Sequence, residues 1–301
     1  LDASSPLAGI EWLQKQGIEV LNSTCVSRVE QRFAGSDAER LAEINQIATL
    51  SPDSVVVAMR GGYGLHRLLP GIEWSAISKA IKSGIQICGH SDFTVFQLGL
   101  LAQTGSVTLA GPMLNFDFAC QGEQGGDLTP NAFMWTHFQK AIEERKLDCT
   151  IQAAQPFLRK SAKGQASGML WGGNLTVLAG LVGTPYLPNQ QQTQGGILFL
   201  EDLAEQLYHL DRMFFALKKA GALSKIKGLM IGGMTDLEDT DNPTGLTIDE
   251  IVSYHFKYSK IPICYDFPIG HFEDNRSVIV GAEVKLNVHE TGASLSYLNS
   301  F

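Results

Sequence analysis

A serine at a predicted strand-to-helix turn is the residue of this sequence best placed to act as a nucleophile. Residues 85–88 form a short apolar run typical of a buried strand, and residues 93–101 suit an apolar helix. Ser91 lies between them, and the backbone N–H of Asp92 then lies at a helix N-terminus, where it can stabilise a developing oxyanion. The usual nucleophile elbow has glycine where this chain has Phe93. The stretch therefore fits either an elbow variant or a serine that caps the helix.

A catalytic serine needs a general base and an acid that orients the base. His271 stands out among the histidines because it follows a predicted strand in a loop whose backbone is restricted by Pro268 and Gly270. Glu201 ends an apolar strand, so its carboxylate could orient an imidazole or simply be solvated at the strand end. The order Ser91, Glu201, His271 matches that of the α/β-hydrolases, although unrelated folds use other orders.

A glycine-rich loop follows the predicted strand at residues 54–59, with the sequence Arg60-Gly61-Gly62-Tyr63-Gly64. It matches neither the dinucleotide-binding pattern nor the phosphate-binding P-loop, which requires a terminal Lys-Ser/Thr pair. It could be a tight turn that needs glycine for its positive φ angles. Alternatively, it could supply a second oxyanion donor beside Ser91.

Known metal-binding patterns are missing from the sequence. No His-Glu-x-x-His motif occurs, and the acidic run at residues 236–242 lacks the glycine and terminal glutamate of a calcium-binding loop. We therefore predict no metal and no cofactor.

Predicted strands alternate with predicted helices through the first half of the chain. The strands are expected at residues 18–21, 54–59, 85–88 and 107–109, and the helices at residues 36–48, 74–81 and 93–101. This alternation predicts a parallel sheet covered on both faces, with ligands at the carboxyl ends of its strands. The glycine-rich loop and Ser91 both follow strands, so we expect them on one rim.

The second half of the chain predicts an α/β domain richer in strands. Its end is typical of a β-hairpin, with alternating residues 284–288, a turn at Thr291-Gly292 and a returning strand at residues 295–298. We predict an N-terminal flavodoxin- or Rossmann-like parallel-sheet domain at residues 1–145, a linker at 146–168, and a β-rich α/β C-terminal domain at 169–301.

Composition predicts a globular protein of the cytoplasm. With 44% hydrophobic and 18% charged residues, the 301-residue chain can bury a substantial core. Its net charge of −8 disfavours nucleic acid or an anionic membrane surface as a partner. The five cysteines are scattered and include no Cys-x-x-Cys pair, which is compatible with a reducing compartment. No apolar run reaches membrane-spanning length, and we predict no signal peptide within the sequence.

Several motifs, taken together and in order, resemble the LD-carboxypeptidases of serine peptidase family S66. The resemblance covers nearly the whole chain and rests on Arg60-Gly61-Gly62-Tyr63-Gly64, Gly89-His90-Ser91-Asp92-Phe93-Thr94, Gly111-Pro112-Met113, Trp171-Gly172-Gly173-Asn174, Leu200-Glu201-Asp202 and Gly270-His271. It implies a serine carboxypeptidase with Ser91 as nucleophile, His271 as general base and Glu201 as the residue that orients the base.

The resemblance also implies the remaining site residues, the substrate and the assembly. The oxyanion donors would be the N–H groups of Asp92 and Gly62. The residues implied in substrate binding are Arg60, Gly61, Tyr63, Gly111, Pro112, Trp171 and Asn174. The substrate would be a cytoplasmic murein tetrapeptide or other muropeptide, from which terminal D-Ala is removed in peptidoglycan recycling. Members of the family are commonly homodimers.

One departure from the family pattern and two alternative functions remain. The family usually starts with a strand ending in an Ala-Pro-Ser-like turn, whereas only residues 1–5 precede the first predicted helix here. Either that strand is lost from this chain or the edge of the sheet differs. The alternatives are a microcin-immunity-type peptidase that cleaves a peptidyl-nucleotide and a non-catalytic module that binds a nucleotide or sugar at the glycine-rich rim.

Overall fold

The chain folds around two sheets with helices packed against them, in a computed structural model that describes residues 6–118, 129–144, 148–152, 161–239 and 245–299. The helices are α1 (Pro6–Lys15), α2 (Asp37–Gln46), α3 (Trp74–Ser83), α4 (Thr94–Thr104), α5 (Leu114–Asp117), α6 (Ala132–Glu144), α7 (Leu175–Gly180), α8 (Gln190–Thr193), α9 (Leu207–Lys219) and α10 (Ile248–Phe256). The strands are β1 (Val55–Val57), β2 (Gln86–Gly89), β3 (Thr108–Ala110), β4 (Cys149–Gln152), β5 (Gly164–Asn174), β6 (Ile197–Leu203), β7 (Gly228–Thr235), β8 (Ile263–Cys264), β9 (Val278–Val280), β10 (Glu283–His289) and β11 (Gly292–Tyr297).

The first sheet has the order β1-β2-β3-β9. Strands β1, β2 and β3 are parallel, as the alternation of strands and helices predicted. Strand β9 pairs antiparallel with β3, with Leu109 opposite Ile279. A strand from near the end of the chain therefore completes the sheet that carries Ser91.

The second sheet has the order β4-β11-β10-β5-β6-β7-β8. Strands β5 to β8 are parallel, and β4, β11, β10 and β5 pair antiparallel. The predicted hairpin is present as β10 and β11, with His289 paired to Gly292. The predicted mixed α/β fold, with a parallel N-terminal sheet and a strand-rich C-terminal half, is confirmed.

Helix α4 holds the two halves together. Its first eight residues are all buried, as expected for a helix whose residues are mostly apolar around its whole circumference. Thr94, its first residue, accepts a hydrogen bond at Oγ1 from the backbone N–H of Asn174 over 3.1 Å. Gly173 permits this approach, because a methyl group there would lie 2.5 Å from that Oγ1. The helix that follows Ser91 is thus fixed against the end of β5.

Local signals gave mixed results near the N-terminus of the chain. Ser36 and Glu39 form the predicted capping box at the start of α2. The strand predicted at residues 18–21 is wrong: Ile18 and Leu21 are 42% and 66% exposed, and the segment pairs with no strand in the described part of the chain. A three- or four-residue apolar run forms a strand only where a neighbour can pair with it.

Among the described residues, no helix combines the length and hydropathy needed to cross a bilayer.

Candidate active site

Ser91 occupies a strained turn between β2 and α4. Its φ angle is +60°, in the left-handed region that residues other than glycine rarely adopt. A single 3₁₀ turn, Ser91–Phe93, leads from the strand into the helix. The sharp strand-to-helix turn predicted from the sequence is therefore present, and it holds the serine at the carboxyl end of a central parallel strand.

The structure explains why this turn has Phe93 where an elbow usually has glycine. A methyl group at Gly89 would lie 2.6 Å from Cδ1 of Phe93, so the glycine before the turn makes room for the phenyl ring. The ring is buried and stacks on Phe96, with a centroid separation of 5.2 Å. The glycine two residues before Ser91 is thus kept, and the position two residues after it holds a phenyl ring packed in the core.

The glycine-rich loop packs directly against the serine. A methyl group at Gly61 would lie 2.7 Å from Cβ and Oγ of Ser91 and 3.5 Å from the backbone nitrogen of Asp92. Gly62 has a φ angle of +105°, which favours glycine. The loop and the turn therefore lie on one rim, as the sequence predicted.

The side chain of Asp92 binds the backbone at the end of the glycine-rich loop. Its Oδ2 accepts a hydrogen bond from the backbone N–H of Leu65 over 3.2 Å, and its Oδ1 lies 4.0 Å from Nδ1 of His66. Burial raises the pKa of Asp92, while the Leu65 hydrogen bond and the nearby His66 and Arg40 oppose that rise. The residue whose N–H lies beside Ser91 thus also orders the backbone of the facing loop.

Glu201 and His271 form a short hydrogen bond between two segments of the second half. Nδ1 of His271 donates to Oε2 of Glu201 over 2.6 Å. The glutamate is 2% exposed near the end of β6, and the histidine is 19% exposed in the loop before β9. Burial alone would lower the pKa of His271, but the hydrogen bond and the charges of Glu201, Asp117 and Asp202 raise it overall. Because Nδ1 carries the proton in this bond, Nε2 of the neutral ring is free to accept one.

Gly270 makes the contact between these two residues possible. Its φ angle is +94°, and a methyl group there would lie 2.6 Å from Cβ and Cγ of Glu201 and 2.7 Å from Oε2. The Pro- and Gly-containing loop that singled out His271 in the sequence is thus needed to bring its imidazole onto the buried carboxylate.

Gly270→Ala is expected to reduce both stability and hydrolytic activity. The positive φ angle costs an L-residue about 1–3 kcal/mol, and the added methyl group must also displace Glu201. Gly183→Ala is the matched control, because Gly183 has a φ angle of +81° but no atom within 4 Å of the new methyl group. Urea unfolding and turnover of both variants measure the two effects; equal losses in the two variants would contradict a role for the close approach.

His90 connects this pair to the serine turn. Its ring lies edge-to-face against the ring of His271, with centroids 5.0 Å apart. Its Nδ1 donates to the carbonyl oxygen of Gly111 over 3.0 Å and lies 3.9 Å from Oδ2 of Asp117. The residue immediately before Ser91 therefore contacts the proposed base, so the structure brings the three predicted catalytic residues into one region.

His90 and Asp117 are the site residues that sequence reasoning missed. His90 lies next to Ser91 on the turn, and no local sequence pattern indicates that its ring reaches His271. Asp117 lies in the short helix α5 and accepts a hydrogen bond from the backbone N–H of Met113 over 2.7 Å. Burial raises its pKa, and the nearby His90 opposes that rise. The only available signal was its position shortly after the Gly111-Pro112-Met113 motif.

The residues implied in substrate binding divide into accessible and buried groups. Arg60 and Tyr63 are exposed on the glycine-rich loop. Trp171 is fully buried in β5, and Asn174 caps α7 while its amide donates to Oδ1 of Asp202 over 3.1 Å. Pro112 is buried and its carbonyl accepts from the thiol of Cys88. In this structure Trp171, Asn174 and Pro112 support the framework of the site.

Among the described residues, no group of three or more histidine, cysteine, aspartate or glutamate side chains is arranged to hold a metal ion.

Comparison with known protein families identifies the chain. A family model described as "LD-carboxypeptidase N-terminal domain" matches residues 3–111, and one described as "LD-carboxypeptidase C-terminal domain" matches residues 167–286. The chain belongs to the LD-carboxypeptidases of peptidase family S66. This confirms the resemblance seen in the sequence and makes the protein a serine-type carboxypeptidase by family.

Relatives of this LD-carboxypeptidase cover nearly its full length. The crystal structure of a muramoyltetrapeptide carboxypeptidase from Oxalobacter formigenes has a TM-score of 0.83 and 33% identity, over 99% of this chain and 96% of that chain. The probable murein peptide carboxypeptidase of Bacillus subtilis is 28% identical over 94% of this chain and 84% of its own length. The microcin C7 self-immunity protein MccF of Escherichia coli is 26% identical over 96% of this chain and 87% of its own length.

Proposed function

We propose that this LD-carboxypeptidase removes the terminal D-Ala from murein tetrapeptides by a serine acyl-enzyme mechanism. The observation that carries the proposal is the 2.6 Å hydrogen bond from His271 to the buried Glu201. The imidazole ring of His271 also contacts the ring of His90, which immediately precedes Ser91. The names of the Oxalobacter formigenes and Bacillus subtilis relatives support the substrate class.

Proton transfer in this mechanism is assigned to His271. Ser91 Oγ attacks the carbonyl carbon of the residue before D-Ala, and Nε2 of His271 takes the hydroxyl proton. Collapse of the tetrahedral intermediate breaks the peptide bond, and the imidazolium returns the proton to the leaving amine. Water activated by the same imidazole then releases the shortened peptide. Glu201 keeps Nδ1 protonated and stabilises the imidazolium.

We assign stabilisation of the oxyanion to two backbone N–H groups, those of Asp92 and Gly62. Asp92 N lies at the start of the 3₁₀ turn leading into α4, where unpaired N–H groups carry positive partial charge. Gly61 packs on Ser91, and we assign the second donor to the N–H of Gly62, the next residue of the same loop. Such preorganised donors stabilise the charge that develops on the carbonyl oxygen.

A second candidate substrate is a peptidyl-nucleotide, because MccF is related over 96% of this chain. Incubation of the purified protein with L-Ala-D-Glu-diaminopimelate-D-Ala and, separately, with aspartyl sulfamoyl adenosine distinguishes the two. We expect a higher kcat/KM for the tetrapeptide. A higher value for the sulfamoyl compound would transfer the proposal to the immunity-type reaction, and nucleotide binding without any hydrolysis would favour a binding module.

The proposal includes the finer predictions made from the sequence. We infer a cytoplasmic homodimer that acts in peptidoglycan recycling, with the nucleophile supplied by a domain at residues 1–145 and the acid–base pair by a domain at residues 169–301, joined by a linker at 146–168. The scattered cysteines support a reducing compartment, and the family resemblance supports the dimer.

A further inference from the structure

The proposed site contains several carboxylate side chains, although the substrate itself has a negatively charged carboxylate at its C-terminal end. Four acidic side chains lie in or beneath the site: Asp92, Asp117, Glu201 and Asp202. The whole chain carries a net charge of −8. An anionic peptide terminus would be repelled from this region unless a local cation offsets the acids. A cation close to the scissile bond would offset these acids and bind the free carboxyl end of the substrate.

Most arginines around the glycine-rich loop already have partners. Arg40 and Arg67 both pair with Asp37, and both guanidinium groups lie over the ring of Phe33. Arg40 also donates to the carbonyl oxygen of Gly64. These two arginines are structural, because they hold α2 against the loop.

Arg60 differs from them in position and in contacts. It is exposed at the start of the loop, and its guanidinium folds back over Gly62: a methyl group at Gly62 would lie 3.7 Å from Nη2 and 4.0 Å from Nε. Within the described parts of the chain, Arg60 has no ion pair, hydrogen bond or ring contact. Its charged group is therefore available beside the proposed oxyanion donor.

The spacing of a peptide fits this position. A substrate carbonyl held between Asp92 N and Gly62 N places the carboxylate of the following, C-terminal residue only one residue further along the chain. Consecutive Cα atoms are about 3.8 Å apart, so that carboxylate stays next to Gly62, which Arg60 covers. The planar guanidinium can donate two parallel hydrogen bonds to a carboxylate.

We propose that Arg60 binds the terminal carboxylate of the substrate and so restricts the enzyme to exopeptidase cleavage. The inference rests on the proposed function and adds the group that recognises the leaving D-Ala. Because Arg60 contacts the part of the substrate that leaves, its loss weakens the Michaelis complex and the acylation transition state together.

Two matched peptides and three variants test this assignment. The peptides are L-Ala-D-Glu-diaminopimelate-D-Ala with a free carboxyl end and the same peptide with a C-terminal amide. The wild type is expected to prefer the free acid by about 10- to 100-fold in kcat/KM, the usual weight of a charge-assisted pair. Arg60→Gln is expected to lower kcat/KM for the acid by that factor, to leave the amide rate unchanged and so to remove the preference. Arg60→Lys should retain part of it.

Arg212→Gln is the control, since Arg212 is an exposed arginine on α9 that lies over Tyr208. It should keep the full preference of the wild type. If the wild type cleaves the acid but Arg60→Gln keeps the wild-type preference, the assignment of Arg60 is wrong and the proposed function stands. If the wild type cleaves neither peptide, both the proposed function and this inference are overturned.

Discussion

Replacing Ser91 by alanine is expected to lower kcat for the murein tetrapeptide by about 10⁴-fold or more, because Ser91 Oγ is the group proposed to form the acyl-enzyme. The binding groups of the site remain, so the affinity for the tetrapeptide should change little. The left-handed φ of +60° is kept, and alanine bears a strain there similar to that of serine. Steady-state kinetics of D-Ala release and binding calorimetry measure the two quantities.

Ser253→Ala provides the matched control for this prediction. Ser253 is exposed on α10, and the same loss of a hydroxyl group there should leave kcat unchanged. Comparable turnover by Ser91→Ala and the wild type would mean that the reaction uses a different nucleophile, and the strained turn would then be only a helix start.

Glu201→Gln is expected to lower kcat by about 10³-fold or more and to shift the pH profile. The substitution keeps the shape of the side chain but removes the charge that stabilises the imidazolium. His271 acts as a base only when neutral, so activity rises with pH through its pKa. In the wild type the pKa of His271 is raised, so the increase of activity with pH should be centred above the ordinary histidine pKa of about 6.5.

The direction of the shift in the variant follows from the forces on His271. Burial lowers the pKa of His271, and the hydrogen bond and charge of Glu201 are the largest effects that raise it. Without the charge of Glu201 the pKa of His271 should fall, so the increase of activity with pH should occur at lower pH. Glu283→Gln, an exposed change on β10, should leave the profile in place. A profile of kcat/KM that does not move in Glu201→Gln would contradict the role assigned to the His271–Glu201 pair.

The sequence predicted the elements around Ser91 well because their signals are local. The apolar strand, the turn and the mostly apolar α4 follow one another within twenty residues, and the capping box of α2 depends on Ser36 and Glu39 alone. The loop around His271 could be singled out for the same reason, since Pro268 and Gly270 mark a fixed backbone in the sequence itself.

Features that depend on distant packing could not be predicted. Strand β9 belongs to the first sheet only because it meets β3, about 170 residues earlier in the chain. The contact of His90 with His271 depends on how the two halves pack, and no local pattern encodes it. Trp171 belongs to a family motif, but its ring is fully buried because β5 is covered on both faces at that point. A motif identifies the site region without saying which of its side chains reach the substrate.

Mass spectrometry of the products formed from L-Ala-D-Glu-diaminopimelate-D-Ala, with the wild type and with Ser91→Ala, tests the central claim most directly. The account predicts that the wild type converts the tetrapeptide to the tripeptide with loss of one alanine from the carboxyl end, and that Ser91→Ala leaves the peptide intact. An unchanged tetrapeptide with the wild type, or equal conversion by both proteins, would contradict it.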